Sequence, residues 1–496
     1  MKTNNIVKLL FVGFGAAALS SCTDLVVKET DSIVAVSKGG TTVLGDPTGK
    51  LEAIYKDLGA YTEQNNIYAL GQHTSAEMIP PTRGVDWGDN GVWRILDQHT
   101  WDAANGTMIS TWNTLNQNVY RANEVLDAKP TAAQAAQAKF LLAYNMFHVM
   151  DYFGKAPLRL TTEGVDVSPK VLTRSEAFDF VVKNLEEALP GLSDIKPSPN
   201  NATASKAAAN ALLARLFLNK AIYKGAAPEG PYTFDKADMD KVVKYADAVT
   251  ASGYSLEKNY FDNFSINSKS EVIFVTNEGS PQNRWFMTLH YDQNPSGWNG
   301  FTTLADFYDK FDKTDKRIGV AAKGDGTKFS GIGRGFLIGQ QIDDKGKAMI
   351  DSRSQKPLAF TRDVPLAGAA TDKGIRVIKY HPADAGKYIL LRYAEVYLAK
   401  AEAQLRGGDA AGALTTINAL RVARGATALT SLTSDGLFDE IGRETYWEGG
   451  KRTHEIRFGK FLTGTGSTVN DPKTVLFPIP ASALISNPNL TQNKGY

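Results

Sequence analysis

The stretch YILLRYAEVYLAKAEAQLR (388–406), followed by GGD (407–409) and AAGALTTINALRVA (410–423), indicates how this chain folds. In both long segments apolar side chains recur at intervals of three and four residues, which is the spacing of one face of an α-helix. The glycines and the aspartate between them are typical of a helix end and of the cap of a new helix. The stretch therefore predicts two helices that run back against each other.

The same pair of helices carries a pattern of small residues that resembles a tetratricopeptide repeat (TPR). Ala401 and Ala413 stand where the two helices have to approach closely, and Gly408 lies in the connection. Residues 205–251 form a looser copy, and residues 112–153 form a further helical hairpin. Helices are predicted at 112–127, 132–153, 174–189, 205–223, 237–251, 388–406 and 410–423. The chain is therefore predicted to be mainly α-helical and built on stacked helix pairs.

Two long segments between the helices have a different composition. Residues 65–106 and 256–385 are rich in glycine, proline, asparagine and aromatic residues, with strand-like pieces such as 271–275. Loops held by a rigid scaffold are where binding residues tend to lie. These two segments are therefore predicted to form the ligand face.

The tryptophans concentrate in these two loops. Trp87, Trp93 and Trp101 lie within fifteen residues, and Trp285 and Trp298 lie within fourteen. An aromatic ring stacks on the apolar face of a pyranose, while Arg, Asp, Asn and Gln side chains bond its hydroxyl groups. Both loops combine these residue types, which favours sugar binding. The alternative is that the rings are buried anchors of long loops.

Candidate ligand residues follow from this composition. Trp87, Trp285 and Trp298 are predicted to stack on the ligand, whereas Trp93 and Trp101 have neighbours that favour packing. Trp112 and Trp447 lie on predicted helices and are expected in the core. The polar candidates are Arg83, Asp89, Asn90, Asn283 and Arg284.

Motifs of catalysis are missing from the sequence. It contains no phosphate-binding G-x-x-x-x-G-K-[ST], no H-E-x-x-H and no G-x-S-x-G, and its six histidines lack metal-ligand spacing. No enzymatic activity, cofactor or metal is therefore predicted. A glycosidase stays an alternative, because its two carboxylates can be distant in sequence.

Four aspartates recur every third residue at Asp306, Asp309, Asp312 and Asp315. On a helix they would form one acidic, solvated face. Bound calcium is the weaker alternative, because the segment lacks the glycine-containing loop of an EF-hand.

The N-terminus has the layout of a secretory signal peptide. Lys2 and Lys8 precede an apolar run of 11 residues (9–19), which is too short to span a bilayer. The motif Leu-Ser-Ser-Cys then resembles a bacterial lipobox, and Cys22 is the only cysteine of the chain. We therefore expect acylation of Cys22; an ordinary signal peptide with an incidental cysteine is the alternative.

This layout divides the chain into three parts. Residues 1–21 are predicted to be a lipoprotein signal peptide, 22–50 a lipidated tether, and 51–496 one domain. The net charge is +2, and removal of two lysines with the signal peptide leaves about zero, which argues against nucleic acid as a partner. No later run is apolar and long enough to predict a membrane span.

Seven stretches together resemble the SusD/RagB outer-membrane nutrient-uptake lipoproteins of Bacteroidota. They are TRGVDWGDNGVW (82–93), FLLAYNMFHVMDYFGKAPL (140–158), RSEAFDFVVKNLEEAL (174–189), KYILLRYAEVYLAKAEA (387–403), ALTTINALRVARGA (413–426), LFDEIGRETYWEGGKRTHEIRFGKF (437–461) and FPIPASALISNPNLTQNKGY (477–496). The sixth departs from the family pattern at Gly442 and at residues 453–455.

The resemblance implies a mainly α SusD-like fold with long irregular loops and a few short strands. Its four TPR-like helix pairs would lie at about 112–153, 205–251, 388–424 and 436–460. The resemblance also implies a surface-exposed outer-membrane lipoprotein without catalysis, which captures oligosaccharides and delivers them to a SusC-like TonB-dependent transporter. Among the conserved-looking residues, Glu448, Arg452 and Arg457 are predicted to form a structural ion-pair set. The alternative is an interaction lipoprotein that binds peptide or protein.

Overall fold

The computed structural model describes residues 36–38, 41–43, 45–164, 166–277, 282–463 and 468–496. The predicted signal peptide and Cys22 lie outside these residues. The chain divides into two units, Met1–Gly45 and Asp46–Tyr496. In the first unit, Val36–Lys38 (β1) pairs antiparallel with Thr41–Val43 (β2).

The second unit contains the helices and the remaining strands. The helices are α1 (Pro47–Asp57), α2 (Ile67–Gln72), α3 (Val92–Gln98), α4 (Gly106–Asp127), α5 (Ala132–Phe153), α6 (Arg174–Ala188), α7 (Lys206–Leu218), α8 (Lys220–Tyr223), α9 (Lys236–Ala251), α10 (Ala305–Tyr308), α11 (Tyr393–Arg406), α12 (Ala410–Ala423), α13 (Ser434–Thr445), α14 (Lys451–Arg457) and α15 (Ala481–Ser486). The strands are β3 (Met78–Ile79), β4 (Lys155–Leu158), β5 (Lys170–Thr173), β6 (Val272–Val275), β7 (Thr302–Thr303), β8 (Gly319–Val320), β9 (Arg334–Leu337), β10 (Gly339–Gln340), β11 (Ala359–Phe360), β12 (Arg376–Ile378) and β13 (Ile389–Arg392). All strand pairs are antiparallel, and the largest sheet has the order β12-β9-β8.

Capping interactions explain why helices begin and end close to the predicted residues. Helix α5 begins at a capping box in which Thr131 and Gln134 bond each other's backbone, and it ends at Gly154 with φ 68°. Helix α6 begins at the same kind of box, formed by Thr173 and Glu176. These bonds satisfy backbone groups that a helix end leaves unpaired.

The helices pack in the pairs that the sequence predicts. Helix α4 packs on α5, α7 on α9, α11 on α12, and α13 on α14. Helix α11 also packs on α9, which joins neighbouring pairs into one array. The predicted helix 205–223 is interrupted at Asn219, whose side-chain Nδ2 donates to the Arg215 carbonyl (2.8 Å). The mainly α-helical prediction is confirmed.

The start of the opening stretch is a strand rather than a helix, so the prediction for 388–392 is wrong. Ile389 of β13 pairs with Val275 of β6, and Arg392 pairs with Val272. A short apolar run fits a buried strand as well as a helix, and only its partner decides between them. The predicted strand at 271–275 is confirmed as this partner.

The predicted acidic helix face at Asp306–Asp315 is also wrong. Helix α10 ends at Tyr308, so the four aspartates do not share a helix. Asp315 is buried and pairs with Arg317 (2.7 Å), while Asp312 pairs with Arg421 (2.8 Å). The spacing of three residues between these aspartates therefore does not reflect a shared helix face.

A network of buried ion pairs lies where the loops meet the helices. Its anions are Glu271, Glu440, Glu444, Glu448 and Asp315, with Asp312 at its exposed edge, and its cations are Arg317, Arg392, Arg421, Arg424, Arg443 and Lys379. Opposite charges occur in equal numbers, which compensates their removal from water.

The predicted ion-pair set of Glu448, Arg452 and Arg457 is therefore wrong. Glu448 bonds Arg392 instead (2.7 Å), and Arg457 bonds Glu402 (2.8 Å). Arg452 donates to the carbonyls of Thr474 (3.1 Å) and Val475 (2.8 Å). The three residues each have other partners in the folded protein.

Glu455 makes the stability of the protein depend on pH. Burial raises the pKa of its carboxyl to about 7, against the smaller opposing effect of Lys451, and Glu77 adds to the rise. The pKa of Glu455 is higher in the folded protein than in the unfolded one. Its protonated carboxyl therefore contributes its full stability below about pH 4.5, and this contribution is lost as the pH rises through 7. Glu455→Gln, which stays neutral, should therefore gain up to about 3 kcal/mol over wild type by pH 8. Urea denaturation of both proteins at pH 5 and pH 8 measures the difference.

A matched control for this prediction is Glu176→Gln, because the pKa of Glu176 is lowered by its bonds to Thr173. That variant should be less stable than wild type by nearly the same amount at pH 5 and at pH 8, because both values lie above the ordinary pKa of the carboxyl. A Glu455→Gln advantage that is equal at both pH values would contradict the assignment.

Candidate ligand-binding face

The first loop of the face begins with a tight turn. The backbone N–H groups of Arg83 and Asp86 each donate to the other residue's carbonyl (3.0 Å), and Gly84 has φ 61°. The turn leaves Val85 96% exposed at its tip.

The backbone just beyond this turn is strained. Trp87 and Asn90 have φ of 65° and 52°, in the left-handed region that non-glycine residues rarely adopt. Such strain persists only where surrounding contacts hold it, and it concentrates at functional sites.

The second loop folds back on itself. The Trp298 amide donates to the Phe286 carbonyl (2.8 Å), and the Asn299 amide donates to the Leu289 carbonyl (2.8 Å). These bonds bring the Trp298 and Phe286 rings together in an edge-to-face contact, with centroids 4.9 Å apart. Trp298 is 42% exposed, so a large part of this residue is accessible to solvent.

The two loops meet through their tryptophans. The Trp87 indole N–H donates to the Trp298 carbonyl (2.8 Å), and the ring centroids lie 6.5 Å apart. Trp87 itself rests on Phe301, with centroids 5.0 Å apart. We call Phe286, Trp87 and Trp298 the aromatic platform. It is a surface on which an apolar ring face can stack.

Gly300 leaves the space that the Trp87 ring occupies. A Cβ atom at this position would lie 2.4 Å from Cζ2 of Trp87. Gly300→Ala should therefore displace the ring and weaken ligand binding about threefold to tenfold, which affinity electrophoresis measures. Gly106→Ala is the matched control, because a Cβ there meets nothing within 4 Å. Equal binding by both variants would exclude Trp87 from the site.

A polar group lies beside the platform, and the sequence analysis missed it. The Asp86 carboxylate accepts bonds from the Tyr291 hydroxyl (2.7 Å) and from Nη1 of Arg353 (2.6 Å). The Arg353 guanidinium stacks on the Tyr291 ring at 3.9 Å and remains half-exposed. First Arg353 and then Tyr291 lower the pKa of Asp86. We call these three residues the Asp86 triad.

Part of this triad could be anticipated. Asp86 directly precedes Trp87, and Tyr291 lies in the same loop as Trp298. Arg353 is distant in sequence, and no local signal marks it.

The predicted polar residues have different surroundings. Arg83 is only 2% exposed, and its guanidinium donates to the carbonyls of Ala370 (2.6 Å) and Lys373 (2.9 Å). Burial lowers the pKa of Arg83 to about 10. Arg284 is half-buried and donates to the Gly386 carbonyl (3.0 Å). Both side chains hold loop backbones in place, which positions the face.

Asp89 and Asn90 are exposed next to the platform. Oδ2 of Asp89 accepts a bond from the Trp93 indole N–H (2.8 Å), which leaves its other oxygen for a ligand. The backbone of Asn283 lies in a single turn, Gln282–Phe286, and its side chain is outside the described part of the structure.

The remaining tryptophans divide as their neighbours suggest. Trp93, Trp101, Trp112 and Trp447 are buried in the core. Trp285 is half-buried and packs against two core clusters, under the Arg284 guanidinium at 5.3 Å. The structure thus brings Trp87 and Trp298 together, while Trp285 lies largely inside.

One cluster of possible metal ligands occurs among the described residues. His290, Asp292 and Asp351 each offer an atom within 4.8 Å of the others, although their sequence spacing gives no signal. Both carboxylates already accept hydrogen bonds from neighbouring side chains: Asp292 accepts a bond from the Ser352 hydroxyl (2.7 Å), and Asp351 accepts one from the Ser354 hydroxyl (2.9 Å). Burial lowers the pKa of His290 to about 4, which keeps its imidazole neutral.

The described helices include none with the length and apolar character that crossing a bilayer requires. Packed helix pairs that support a loop-borne aromatic platform with adjacent polar groups define a helical-repeat protein with a candidate binding face.

Comparison with known proteins identifies the family. A family profile described as "Starch-binding associating with outer membrane" matches residues 43–218, and one described as "SusD family" matches residues 267–465. The chain belongs to the SusD/RagB family. The resemblance that the sequence motifs indicated is confirmed.

Individual relatives agree with this assignment. The chain is 26% identical to the starch-binding protein SusD of Bacteroides thetaiotaomicron, over 83% of this chain and 82% of that protein. A SusD-like protein from Bacteroides fragilis has a similar structure (TM-score 0.69, 19% identity, 93% and 99% of the two chains). So does surface glycan-binding protein A from Bacteroides thetaiotaomicron in complex with laminarihexaose (TM-score 0.65, 18% identity, 90% and 98%). These structures confirm the SusD-like fold.

Proposed function

We propose that this protein is a non-catalytic, lipid-anchored binding protein of the outer-membrane surface, which captures a glycan and passes it to a SusC-like TonB-dependent transporter. The observation that carries the glycan assignment is the aromatic platform. Trp298 is partly exposed, its ring lies 6.5 Å from that of Trp87, and Trp87 directly follows Asp86, which bonds the exposed guanidinium group of Arg353.

This combination matches the chemistry of a neutral oligosaccharide. The apolar face of a pyranose covers an indole ring, and hydroxyl groups bond to carboxylate, guanidinium and amide groups at its edge. Because the Asp86 charge is paired with Arg353, the face offers bonding groups without a strong net field. The family profile and the starch-binding relative support the same ligand class.

Affinity electrophoresis through gels that contain starch, laminarin or no glycan tests the proposal. The protein should be retarded by one glycan and not by the plain gel, and by the same amount with EDTA present. Retardation by no glycan would overturn glycan binding in favour of a peptide or protein ligand. Release of reducing sugar during the assay would overturn the non-catalytic assignment.

The anchor and the transporter are tested separately. Cys22→Ala should release the protein from the membrane fraction, because the acyl chains would be lost. Recovery of a TonB-dependent transporter with the tagged wild-type protein, under mild detergent, tests the partner. Membrane retention of Cys22→Ala would contradict the lipid anchor.

A further inference from the structure

A cavity lies within the helical scaffold, and its lining includes no residue of the aromatic platform or the Asp86 triad. Its volume is about 120 Å³, and its walls come from α2, α5, α7, α11, β13 and the α13–α14 connection. A buried water needs roughly 10–15 Å³ of such space. The cavity therefore has room for several waters or for one six-membered ring with its substituents.

Aromatic rings surround one histidine in this wall. His148 makes ring contacts with Tyr61 (5.0 Å), Tyr144 (5.2 Å), Phe147 (4.8 Å) and Tyr152 (5.7 Å). These residues all line the cavity. The wall therefore offers flat apolar surface to an occupant.

The same wall carries buried polar atoms without bonds. Neither ring nitrogen of His148, nor Nδ1 of His454, nor the hydroxyl of Tyr388 has a hydrogen-bond partner within the described chain. His148 and Tyr388 are more than nine-tenths buried. Unpaired buried polar atoms are costly, so four of them, on three residues around one cavity, point to an occupant that bonds them.

The charged residues of the wall, in contrast, are already satisfied. Arg215 makes a two-bond pair with Glu395 (2.7 Å each), and Arg457 pairs with Glu402. Asp151 accepts from the hydroxyls of Tyr223 (3.0 Å) and Thr453 (2.9 Å). An anionic occupant would find no unpaired cation among these residues, and Asp151 is already bonded by two hydroxyl groups.

The two histidines are neutral as well. Burial, and then Arg215, lower the pKa of His148 well below its ordinary value. Burial, followed by Arg457 and Lys451, lowers the pKa of His454 in the same way. A neutral imidazole can donate one bond and accept one, which suits hydroxyl groups.

We propose that this cavity is a second binding site, for a small neutral solute with one hydroxylated ring, of which a free monosaccharide is the chemical class. The ring covers the aromatic wall around His148, and its hydroxyls bond His148, Tyr388 and His454. The site is separate from the aromatic platform, and the inference does not depend on the proposed function.

Equilibrium dialysis with radiolabelled glucose, galactose and mannose tests the proposal. The whole protein is purified in a detergent that has no sugar headgroup, because a sugar headgroup would compete with the labelled ligand. Saturable binding of one sugar per chain is expected, with a dissociation constant on the order of millimolar for a ligand of this size.

Three variants locate the bound sugar. Ala399 lines the cavity, so Ala399→Leu fills it and should weaken binding at least about tenfold. Tyr388→Phe removes one hydroxyl without changing the volume and should weaken binding about threefold to tenfold. Trp298→Ala should leave monosaccharide binding unchanged, although it removes glycan retardation.

The outcomes separate this site from the ligand face. If Ala399→Leu does not fold, Tyr388→Phe decides alone. The absence of saturable binding by the folded wild-type protein would overturn the proposal, and the cavity would then hold water only. Binding that Trp298→Ala removes and Tyr388→Phe spares would also overturn it, because the sugar would then lie on the face.

Discussion

Glu444→Ala is expected to lower the free energy of unfolding by about 3–5 kcal/mol, because it removes the central anion of the buried ion network. The Glu444 carboxylate is completely buried and accepts bonds from Arg392 (2.9 Å), Arg424 (2.8 Å) and Arg317 (3.1 Å). Burial alone would raise the pKa of Glu444, but these three guanidinium groups hold the pKa well below its ordinary value. Urea denaturation of the purified protein measures the loss.

The size of this effect comes from the charges that remain. Without Glu444, three buried arginines share the remaining carboxylates, and the cluster carries an uncompensated positive charge. Glu187→Ala is the matched control, because Glu187 is a half-exposed partner of Lys139 and Lys183. Such surface pairs contribute about 0–1 kcal/mol. A Glu444→Ala loss no larger than this control would contradict the role of the network.

The network also explains how the loops are held in place. Arg317 comes from the long loop segment, Arg424 follows α12, and Arg392 ends β13, yet all three bond the same carboxylate on α13. Glu444 therefore fastens the loop side of the molecule to the helix pairs. A ligand face built on irregular loops needs such support to keep its geometry.

Trp298→Ala is expected to abolish most glycan retardation, a loss of about 2 kcal/mol or more, as for a central aromatic contact. A sugar would cover the exposed part of the residue, and its removal should cost little packing because Trp298 is 42% exposed and, among the described aromatic rings, pairs with those of Phe286 and Trp87. The melting temperature should therefore stay within a few degrees of wild type. Affinity electrophoresis and differential scanning calorimetry measure the two quantities.

Conservative and remote variants sharpen this test. Trp298→Phe keeps a ring and should retain part of the affinity. Val422→Ala removes an exposed apolar side chain on α12, in the helical scaffold, and should not affect retardation. Full retardation of Trp298→Ala, or a large loss of stability, would show that the ring is a packing anchor instead. Trp87→Ala is less clean, since Trp87 also contacts Trp93 and Phe301.

Much of the scaffold could be predicted because helix signals are local. Apolar spacing, the capping box at Thr131 and the glycine at 154 specify α5 within a few neighbouring residues. The prediction failed where local signals were ambiguous, as at Ile389–Arg392, whose strand depends on β6 more than 110 residues away.

The sequence predicted which loops and residue types form the candidate site, but it did not predict how those residues are arranged in space. The loops and the residue types were recognisable, and Trp87 and Trp298 do come together. Arg83 is of a residue type that often binds ligands, but it is buried among backbone carbonyls. Arg353 has no sequence pattern that marks it as a ligand residue, yet it is exposed beside the platform.

The sequence by itself determined the helix pairs, their ends and the family, because each rests on short-range spacing or on quoted motifs. Only the tertiary structure decided which tryptophan faces solvent, which carboxylate joins the arginines, and where a cavity remains. These features depend on residues far apart in the chain, such as Trp87 and Trp298, which lie 211 positions from each other. Burial and pairing arise from the packing of distant segments, and no local pattern records them.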